Sequence, residues 1–280
     1  MKFKTVFQLF NIILIVFLVL LCLVPTLLMG ASFASTFWQA NWFMVVILAL
    51  ILIAFDTYFI INRRLYILLE KGDWPALVQY LEEEVIRGGK YSPHLVRLLA
   101  NTYLVLSDSP SVMSLENKAA IAKPSLVDSN ALVFGTARIL GRDISGAVRF
   151  FETRLERAKA SLKPWIRWYY GFSLLLDKQF LKASEEFKTL ALGSSDGVIA
   201  GLSSFFLEAS CAKALPDRAG ELEAVSAEGK ARVLKFLPRI KDWARETGSI
   251  STEIHAAALA NYMEKCGDWL YSQGEQNANI

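Results

Sequence analysis

The chain has 280 residues, 54% of them apolar, and a formal net charge of +3. Its mean hydropathy of +0.34 is high for a soluble protein. The basic residues are spread along the chain, whereas nucleic-acid binding needs them concentrated on one face, so the composition argues against nucleic acid. Three cysteines, Cys22, Cys211 and Cys266, form no CxxC pair. They argue against a disulfide framework and fit a reducing compartment.

The first 61 residues carry the apolar excess. No Asp, Glu, Lys or Arg occurs from Thr5 to Phe55, whereas all 27 acidic residues and all but two of the 30 basic ones lie from Asp56 onward. Two apolar runs, at about 7–29 and 42–61, each have the ~20 residues that a membrane helix needs. The sequence therefore predicts a transmembrane helical hairpin over residues 1–61, held in a lipid bilayer, with a short loop between its spans.

Basic residues predict the orientation of this hairpin. Lys2 and Lys4 precede the first span, Arg63 and Arg64 follow the second, and the connecting loop has no positive charge. By the positive-inside rule both ends are expected to be cytoplasmic, in a bacterial inner membrane. The alternative is a cleaved signal peptide that ends near 32–34. The first apolar run is longer than the usual ~7–15-residue signal core, which favours a span.

Residues 62–192 carry a helical repeat of about 35 residues. A small residue is followed twelve and sixteen positions later by a second small residue and an aromatic one: Gly135, Ala147 and Phe151, then Gly171, Ala183 and Phe187. Ala100 and Leu65 precede Gly135 at steps of 35, with weaker matches, since Val112 and Glu116 replace the expected small and aromatic residues after Ala100. This pattern resembles the tetratricopeptide repeat (TPR), in which small residues let paired helices pack closely.

The fold class predicted from this resemblance is all-α: the transmembrane hairpin followed by a TPR-like α-solenoid of antiparallel helix pairs. Apolar periodicity and turn residues predict helices over 131–140, 146–155, 165–176 and 180–191. Residues 193–272 are predicted to form further helices, over 198–215, 219–237 and 253–271, that cap the repeat stack. The sequence leaves open whether they cover its groove instead. Residues 273–280 are predicted to be a frayed tail.

The resemblance also implies a binding face. Ligands of TPR domains usually lie along a concave face lined by the first helix of each pair, which gives Arg97, Asn101, Trp165, Trp168 and Phe172 as candidate contacts for a protein or peptide partner. Arg97 and Asn101 occupy positions that grip a peptide carboxylate in some members, but the clamp is incomplete here, and both residues could simply face water. The three aromatic residues could form a binding hot spot or fill the repeat core.

No motif predicts chemistry. The run 193–197 lacks the Gly-Lys-Ser/Thr ending of a phosphate loop, Glu82, Glu83 and Glu84 are adjacent helical residues that point in different directions, and His94 and His255 have no nearby second ligand. We therefore expect no cofactor, no metal and no enzymatic activity. The expected function is a membrane-anchored scaffold or adaptor for proteins at the cytoplasmic face. The alternative is a non-catalytic subunit of a membrane enzyme or transporter complex, contacting it through the hairpin.

Overall fold

A computed structural model describes residues 3–250, 256 and 259–272. Within these residues every regular element is a helix and no strand occurs, so the predicted all-α class is confirmed. The chain divides into two compact units, Met1–Tyr80 and Leu81–Ile280, which are described separately. The predicted tail at 273–280, His255, Lys2 and the first part of the helix predicted over 253–271 lie outside the described residues.

The helices are numbered in chain order. The N-terminal part contains α1 (Phe3–Ile61), α2 (Arg63–Lys71) and α3 (Trp74–Glu82), which a π-helical turn, Glu83–Arg87, extends. The rest contains α4 (Pro93–Val105), α5 (Ser109–Ala122), α6 (Ser125–Ser129), α7 (Ala131–Leu140), α8 (Ile144–Leu155), α9 (Lys163–Leu176), α10 (Phe180–Gly193), α11 (Gly197–Phe206, extended by the π-helical turn Leu207–Ala212), α12 (Ala219–Phe236), α13 (Ile240–Ile250) and α14 (Ala260–Tyr271).

Helix α1 folds back on itself. Its backbone leaves the helical conformation at Gly30 (φ 81°, ψ 167°), where essentially only glycine fits, and again at Asn41 (φ −122°, ψ 17°). A straight helix would hold its ends tens of ångströms apart at about 1.5 Å per residue. Two aromatic pairs instead join the ends, Phe7 to Phe59 with ring centroids 5.5 Å apart and Phe10 to Phe55 at 5.9 Å. The segment between the two breaks is helical, which corrects the predicted loop.

The large apolar side chains of α1 are mostly exposed, Leu28 at 78% and Ile61 at 70% among them. Within the described residues one helix, Thr26–Ile61, is long and apolar enough to cross a membrane, and Phe7–Leu21 is a shorter apolar helix. An apolar helix of this kind near the N-terminus is either a membrane span or part of a signal sequence.

In four successive helix pairs the same kind of turn joins the first helix to the second. One residue in each turn has left-handed backbone, at intervals of 35, 35 and 36 residues: Gly72 (φ 64°), Ser107 (φ 59°), Arg142 (φ 61°) and Lys178 (φ 60°). Each donates its backbone N–H to the carbonyl three residues earlier, and the next residue donates to the carbonyl five residues before itself. This pair of bonds is the Schellman motif, which satisfies the last carbonyls of the first helix.

An aspartate follows the left-handed residue in the first three of these turns and caps the second helix. Asp73 Oδ1 accepts a hydrogen bond from the Ala76 N–H at 3.2 Å, and Asp108 and Asp143 do the same for Ser111 at 3.1 Å and Gly146 at 3.0 Å. The fourth turn has Gln179 at this position, whose side chain makes no cap bond. The period is therefore encoded in the turns as well as in the helices.

These caps give a first prediction. Asp108→Ala or Asp143→Ala should each lower the free energy of unfolding by about 1 kcal/mol, because an N–H of the first helical turn loses its acceptor. Gln179→Asp should raise it by about the same amount by supplying the missing cap. Chemical denaturation of the full chain in detergent, followed by circular dichroism, measures both changes. Equal stability of all three variants and the parent chain would contradict the prediction.

From α4 to α12 each helix pair packs against the pair that follows it in the chain. In α4–α5, α7–α8, α9–α10 and α11–α12 the two helices of each pair contact each other, and each of α5, α8 and α10 also contacts the first helix of the next pair. In two pairs the glycine of the first helix lies against the aromatic residue of the second. A Cβ atom at Gly135 would lie 2.0 Å from Phe151 Cζ, and one at Gly171 would lie 3.1 Å from Phe187 Cε1.

After residue 192 the described residues differ from the predicted helices at 240–250, and α14 begins at Ala260 rather than at 253. Helix α13 was not predicted, because Gly248 and Ser249 suggested a linker, yet both lie inside it. Trp243 explains the helix: its side chain is 3% exposed and its Nε1 donates to the Met263 carbonyl oxygen at 3.0 Å. Gly201 and Gly267 leave room for its indole ring. Tertiary packing therefore outweighs the weak helix preference of glycine.

Candidate interaction face

The five candidate residues lie on the first helices of two pairs, α4 and α9, and differ widely in accessibility. Arg97 on α4 is exposed, while Asn101 on α4 and Trp165 on α9 are half-buried. Trp168 is 0% exposed and Phe172 is 5% exposed. The predicted site therefore divides into a closed interior, Trp168 and Phe172, and an accessible rim. The rim consists of Arg97, Trp165 and Ser129, whose carbonyl group Arg97 contacts.

Arg97 connects α4 to the junction between α6 and α7. Its Nη2 donates to the Ser129 carbonyl oxygen and its Nε to Asn130 Oδ1, both at 3.3 Å. Asn130 is itself buried and donates to the Leu126 carbonyl oxygen at 2.9 Å. These bonds hold the guanidinium in place at the surface, so it is neither a freely rotating side chain nor a core residue.

Trp168 and Phe172 are core residues, which corrects the prediction that they contact a partner. Their rings stack with centroids 5.1 Å apart. Phe206 of α11 packs against both rings, at 5.9 and 5.5 Å, and Phe187 of α10 packs against Trp168 at 6.3 Å. An aromatic cluster of this kind fills space between helices and has no surface left for another chain.

Helix α14 covers this part of the face. Tyr262 lies 5.7 Å from the Phe172 ring and 5.3 Å from the Phe206 ring. Two polar contacts hold α14 to the helices before it. Lys230 Nζ donates to the Trp269 carbonyl oxygen at 2.5 Å, and the Tyr271 hydroxyl donates to the Leu237 carbonyl oxygen at 2.6 Å. Burial, with the nearby Asp242 carboxylate, raises the pKa of Tyr271 to about 12. Helix α14 therefore packs on the aromatic side chains of α9 and α11.

The face is also closed over α7, where Leu132 and Thr136 are both buried. Among the described residues of the first helices, three uncharged side chains have a buried polar atom with no hydrogen-bond partner: Asn101 Oδ1, Thr136 Oγ1 and Trp168 Nε1. Asn101 and Thr136 occupy the same repeat position, one residue after Ala100 and Gly135. Unsatisfied buried polar groups are uncommon, because each costs the desolvation of that group. Their alignment marks the inner face as more polar than an ordinary repeat core.

A buried ion-pair cluster lies at the position where the repeat pattern failed. Glu116 is 7% exposed, with Arg138 Nη1 2.7 Å from its Oε2 and Arg154 Nη2 3.7 Å from its Oε1. Both guanidinium groups also pack on the Phe150 ring, at 4.2 and 3.6 Å from its centroid. Burial lowers the pKa of Arg154, against the opposing effect of the carboxylates. An ion pair thus replaces the aromatic residue that the next two units have.

The remaining candidate groups are dispersed. Within the described part of the chain no three His, Cys, Asp or Glu residues lie together as a metal site would require. The three adjacent glutamates do point in different directions: Glu82 accepts from the Tyr103 hydroxyl at 2.6 Å, and Glu84 pairs with Lys90 at 2.5 Å. His94 is exposed. The charged and polar groups considered as chemical sites therefore do not converge.

The described residues define an all-α protein with a folded-back apolar N-terminal helix and successive helix pairs. Residues 111–272 match the family described as "Uncharacterised Treponema protein", and the chain belongs to this family. The match runs from α5 through α14, so it includes the helix that covers the inner face. A protein of Treponema pallidum (strain Nichols), described as "Uncharacterized protein", is 30% identical over 238 residues, which are 83% of this chain and 72% of that protein. No solved structure matches the chain.

Proposed function

We propose that the protein is a membrane-tethered, non-enzymatic scaffold whose TPR-like helical repeat holds another protein beside the membrane. The observation that carries the proposal is the repeated turn at Gly72, Ser107, Arg142 and Lys178, with its common hydrogen-bond pattern. Helix pairs joined by the same turn are the units of solenoid proteins, which present extended surfaces to protein ligands. If the protein is removed, we expect its partner to lose its binding surface at the membrane, and we expect no chemical reaction to be lost.

Helix α1 consists of two legs, residues 3–29 before the break at Gly30 and residues 42–61 after the break at Asn41. These two legs are the proposed membrane anchor, each crossing the bilayer once. Exposed apolar side chains along both legs and the absence of charge from Thr5 to Phe55 support this arrangement. Arg63, Arg64 and Lys71 follow the second leg, which favours a cytoplasmic repeat domain in a bacterial inner membrane. Anchoring raises the effective concentration of the repeat near other membrane proteins without any new contact.

The accessible rim is the proposed docking surface for the partner. Arg97 offers a charge-assisted hydrogen bond to a carboxylate, and the half-buried Trp165 offers apolar area. A peptide segment that carries an acidic residue and an apolar one would complement these groups. The closed interior takes no part, because α14 already occupies it.

Site-specific cross-linking in native membranes tests this proposal. A photoreactive amino acid replaces Arg97 or Trp165 in the full chain, with Glu228, an exposed residue of α12, as the matched control position. We expect both rim positions to cross-link the same protein and the control to give none. Arg97→Glu should lower the yield at Trp165 about tenfold, the equivalent of about 1.4 kcal/mol of binding energy. Equal yields at all three positions, or no change with Arg97→Glu, would contradict rim docking.

A further inference from the structure

A pocket lies where the two legs of α1 meet α2. Its volume is about 350 Å³, which is in the range of roughly 300–1,000 Å³ found for small-molecule sites. Phe7 and Gln8 from the first leg and Phe59 and Ile60 from the second form part of its wall. The lining therefore comes from both ends of the folded-back helix, and the pocket depends on its closure.

Helix α2 supplies the remaining wall. Arg63, Ile67 and Glu70 line the pocket and lie at i, i+4 and i+7, which is one face of a helix. Phe59 connects the two parts, because its ring lies 5.5 Å from Phe7 and 5.9 Å from Tyr66 of α2. The pocket thus has apolar and aromatic walls, with one guanidinium and one carboxylate among its lining groups.

The basic residues of α2 have different surroundings. Arg63 is exposed and lines the pocket, whereas the guanidinium of the adjacent Arg64 lies over the Tyr80 ring, 5.2 Å from its centroid. Lys71 is exposed at the last position of the helix and is not among the residues that line the pocket. A ligand in the pocket would therefore meet Arg63 rather than Arg64 or Lys71.

We propose that this pocket binds one membrane phospholipid with a zwitterionic, amine-bearing headgroup. This inference rests on the proposed membrane insertion, which puts the pocket at headgroup depth, since it lies where the uncharged legs end and Arg63 and Arg64 begin. Arg63 binds the lipid phosphate, a geometry that guanidinium groups favour. Glu70 accepts from the headgroup ammonium, and the apolar wall of Phe7, Ile60 and Ile67 contacts the first methylenes of an acyl chain.

Charge complementarity selects this lipid over an anionic one. The pocket lining carries one positive and one negative group, Arg63 and Glu70, so a headgroup that has both a phosphate and an ammonium matches both. Phosphatidylglycerol has the phosphate alone: its neutral hydroxyls can donate hydrogen bonds to Glu70 but do not compensate the charge of the carboxylate. Phosphatidylcholine has the positive charge of a quaternary ammonium but no N–H group to donate to Glu70.

Lipid retention tests the site. The full chain is reconstituted in vesicles of phosphatidylethanolamine, phosphatidylglycerol and phosphatidylcholine in equal parts, extracted in mild detergent, and weighed by native mass spectrometry. We expect the parent chain to retain one phosphatidylethanolamine. Arg63→Gln should lower that retention at least fivefold, and Glu70→Gln should remove the preference over phosphatidylglycerol. Lys71→Gln, which removes the same charge outside the pocket, should leave retention unchanged.

Other outcomes separate failure of the lipid site from failure of the anchor. Equal retention of all three lipids, or equal losses in Arg63→Gln and Lys71→Gln, would overturn the lipid site. Arg63→Lys keeps a cation and should recover at least half of the retention, which a purely structural role of the guanidinium would not predict. Extraction of the parent chain from the vesicles by alkaline carbonate would overturn the membrane anchor itself. Resistance to carbonate without lipid retention would overturn the lipid site alone.

Discussion

Replacing Gly135 with alanine is expected to lower the free energy of unfolding by about 3 kcal/mol, at the upper end of the usual cost of overpacking. The new Cβ would lie 2.0 Å from Phe151 Cζ and within 2.6 Å of two further ring atoms. The ring has little room to move, because it is fully buried and stacks on Tyr169 with centroids 5.5 Å apart. Chemical denaturation of the full chain in detergent, followed by circular dichroism, measures the loss.

Two matched glycines and one second-site change control this prediction. Gly171→Ala should cost less, about 1 kcal/mol, because its Cβ would lie 3.1 Å from Phe187. A Cβ atom at Gly220 would have no other atom within 4 Å. Gly220→Ala should therefore stabilise α12 by roughly 0.5–1 kcal/mol through helix propensity. Phe151→Leu should recover part of the loss in the Gly135→Ala chain. A Gly135→Ala chain as stable as the Gly220→Ala chain would show that the helices of this pair do not pack as described.

Glu116→Ala should destabilise the protein by about 3 kcal/mol, because it leaves the Arg138 guanidinium buried without a carboxylate and leaves Arg154 with Asp128 alone, 3.9 Å away. Arg138 and Arg154 are 13% and 19% exposed along their side chains, so water replaces little of the lost interaction. Both also pack on Phe150, which keeps them from moving far into solvent. The same denaturation measurement gives the value.

The control for Glu116 removes a carboxylate elsewhere. Glu228→Gln, at an exposed position of α12, should change the free energy of unfolding by less than about 0.5 kcal/mol. Adding Arg138→Met to the Glu116→Ala chain should recover part of the stability, because it removes the buried charge that has lost its ion-pair partner. A loss below about 1 kcal/mol for Glu116→Ala would mean that the cluster is solvated, as exposed ion pairs are.

Local patterns were sufficient for much of the helical architecture. The predicted helix over 131–140 coincides with α7, and the predicted limits of the segment between the two apolar runs coincide with the breaks at Gly30 and Asn41. Both rest on short-range physics: apolar periodicity fixes a helix, and glycine permits the backbone that ends one. The spacing of Asp73, Asp108 and Asp143 at 35 residues was a further signal in the sequence, and would have located the repeated turn from residue 72 onward.

The binding face could not be predicted in the same way. Trp168 and Phe172 lie on the side of α9 expected to face a partner. Phe172 packs against Tyr262, 90 residues later, and Trp168 packs against Phe187 and Phe206. No local pattern encodes the contact with Tyr262. Glu116 departs from the repeat pattern, and only the tertiary structure brings Arg138 and Arg154 beside it. Residues that act through distant neighbours need the tertiary structure to be recognised.

Cysteine accessibility tests the central claim, that two apolar legs cross the membrane and hold the repeat on the side of the basic residues. The starting chain carries Cys22→Ala. A single cysteine is then introduced at Gln39, which is exposed in the segment that connects the two legs, or at Glu228. Cys211 and Cys266 stay, since both are buried and burial raises their thiol pKa, that of Cys211 to about 12. A membrane-impermeant maleimide added to right-side-out vesicles should label position 39 and should reach position 228 only after permeabilisation. Labelling of position 228 in intact vesicles would contradict the cytoplasmic repeat, and protection of position 39 would contradict the two-span anchor.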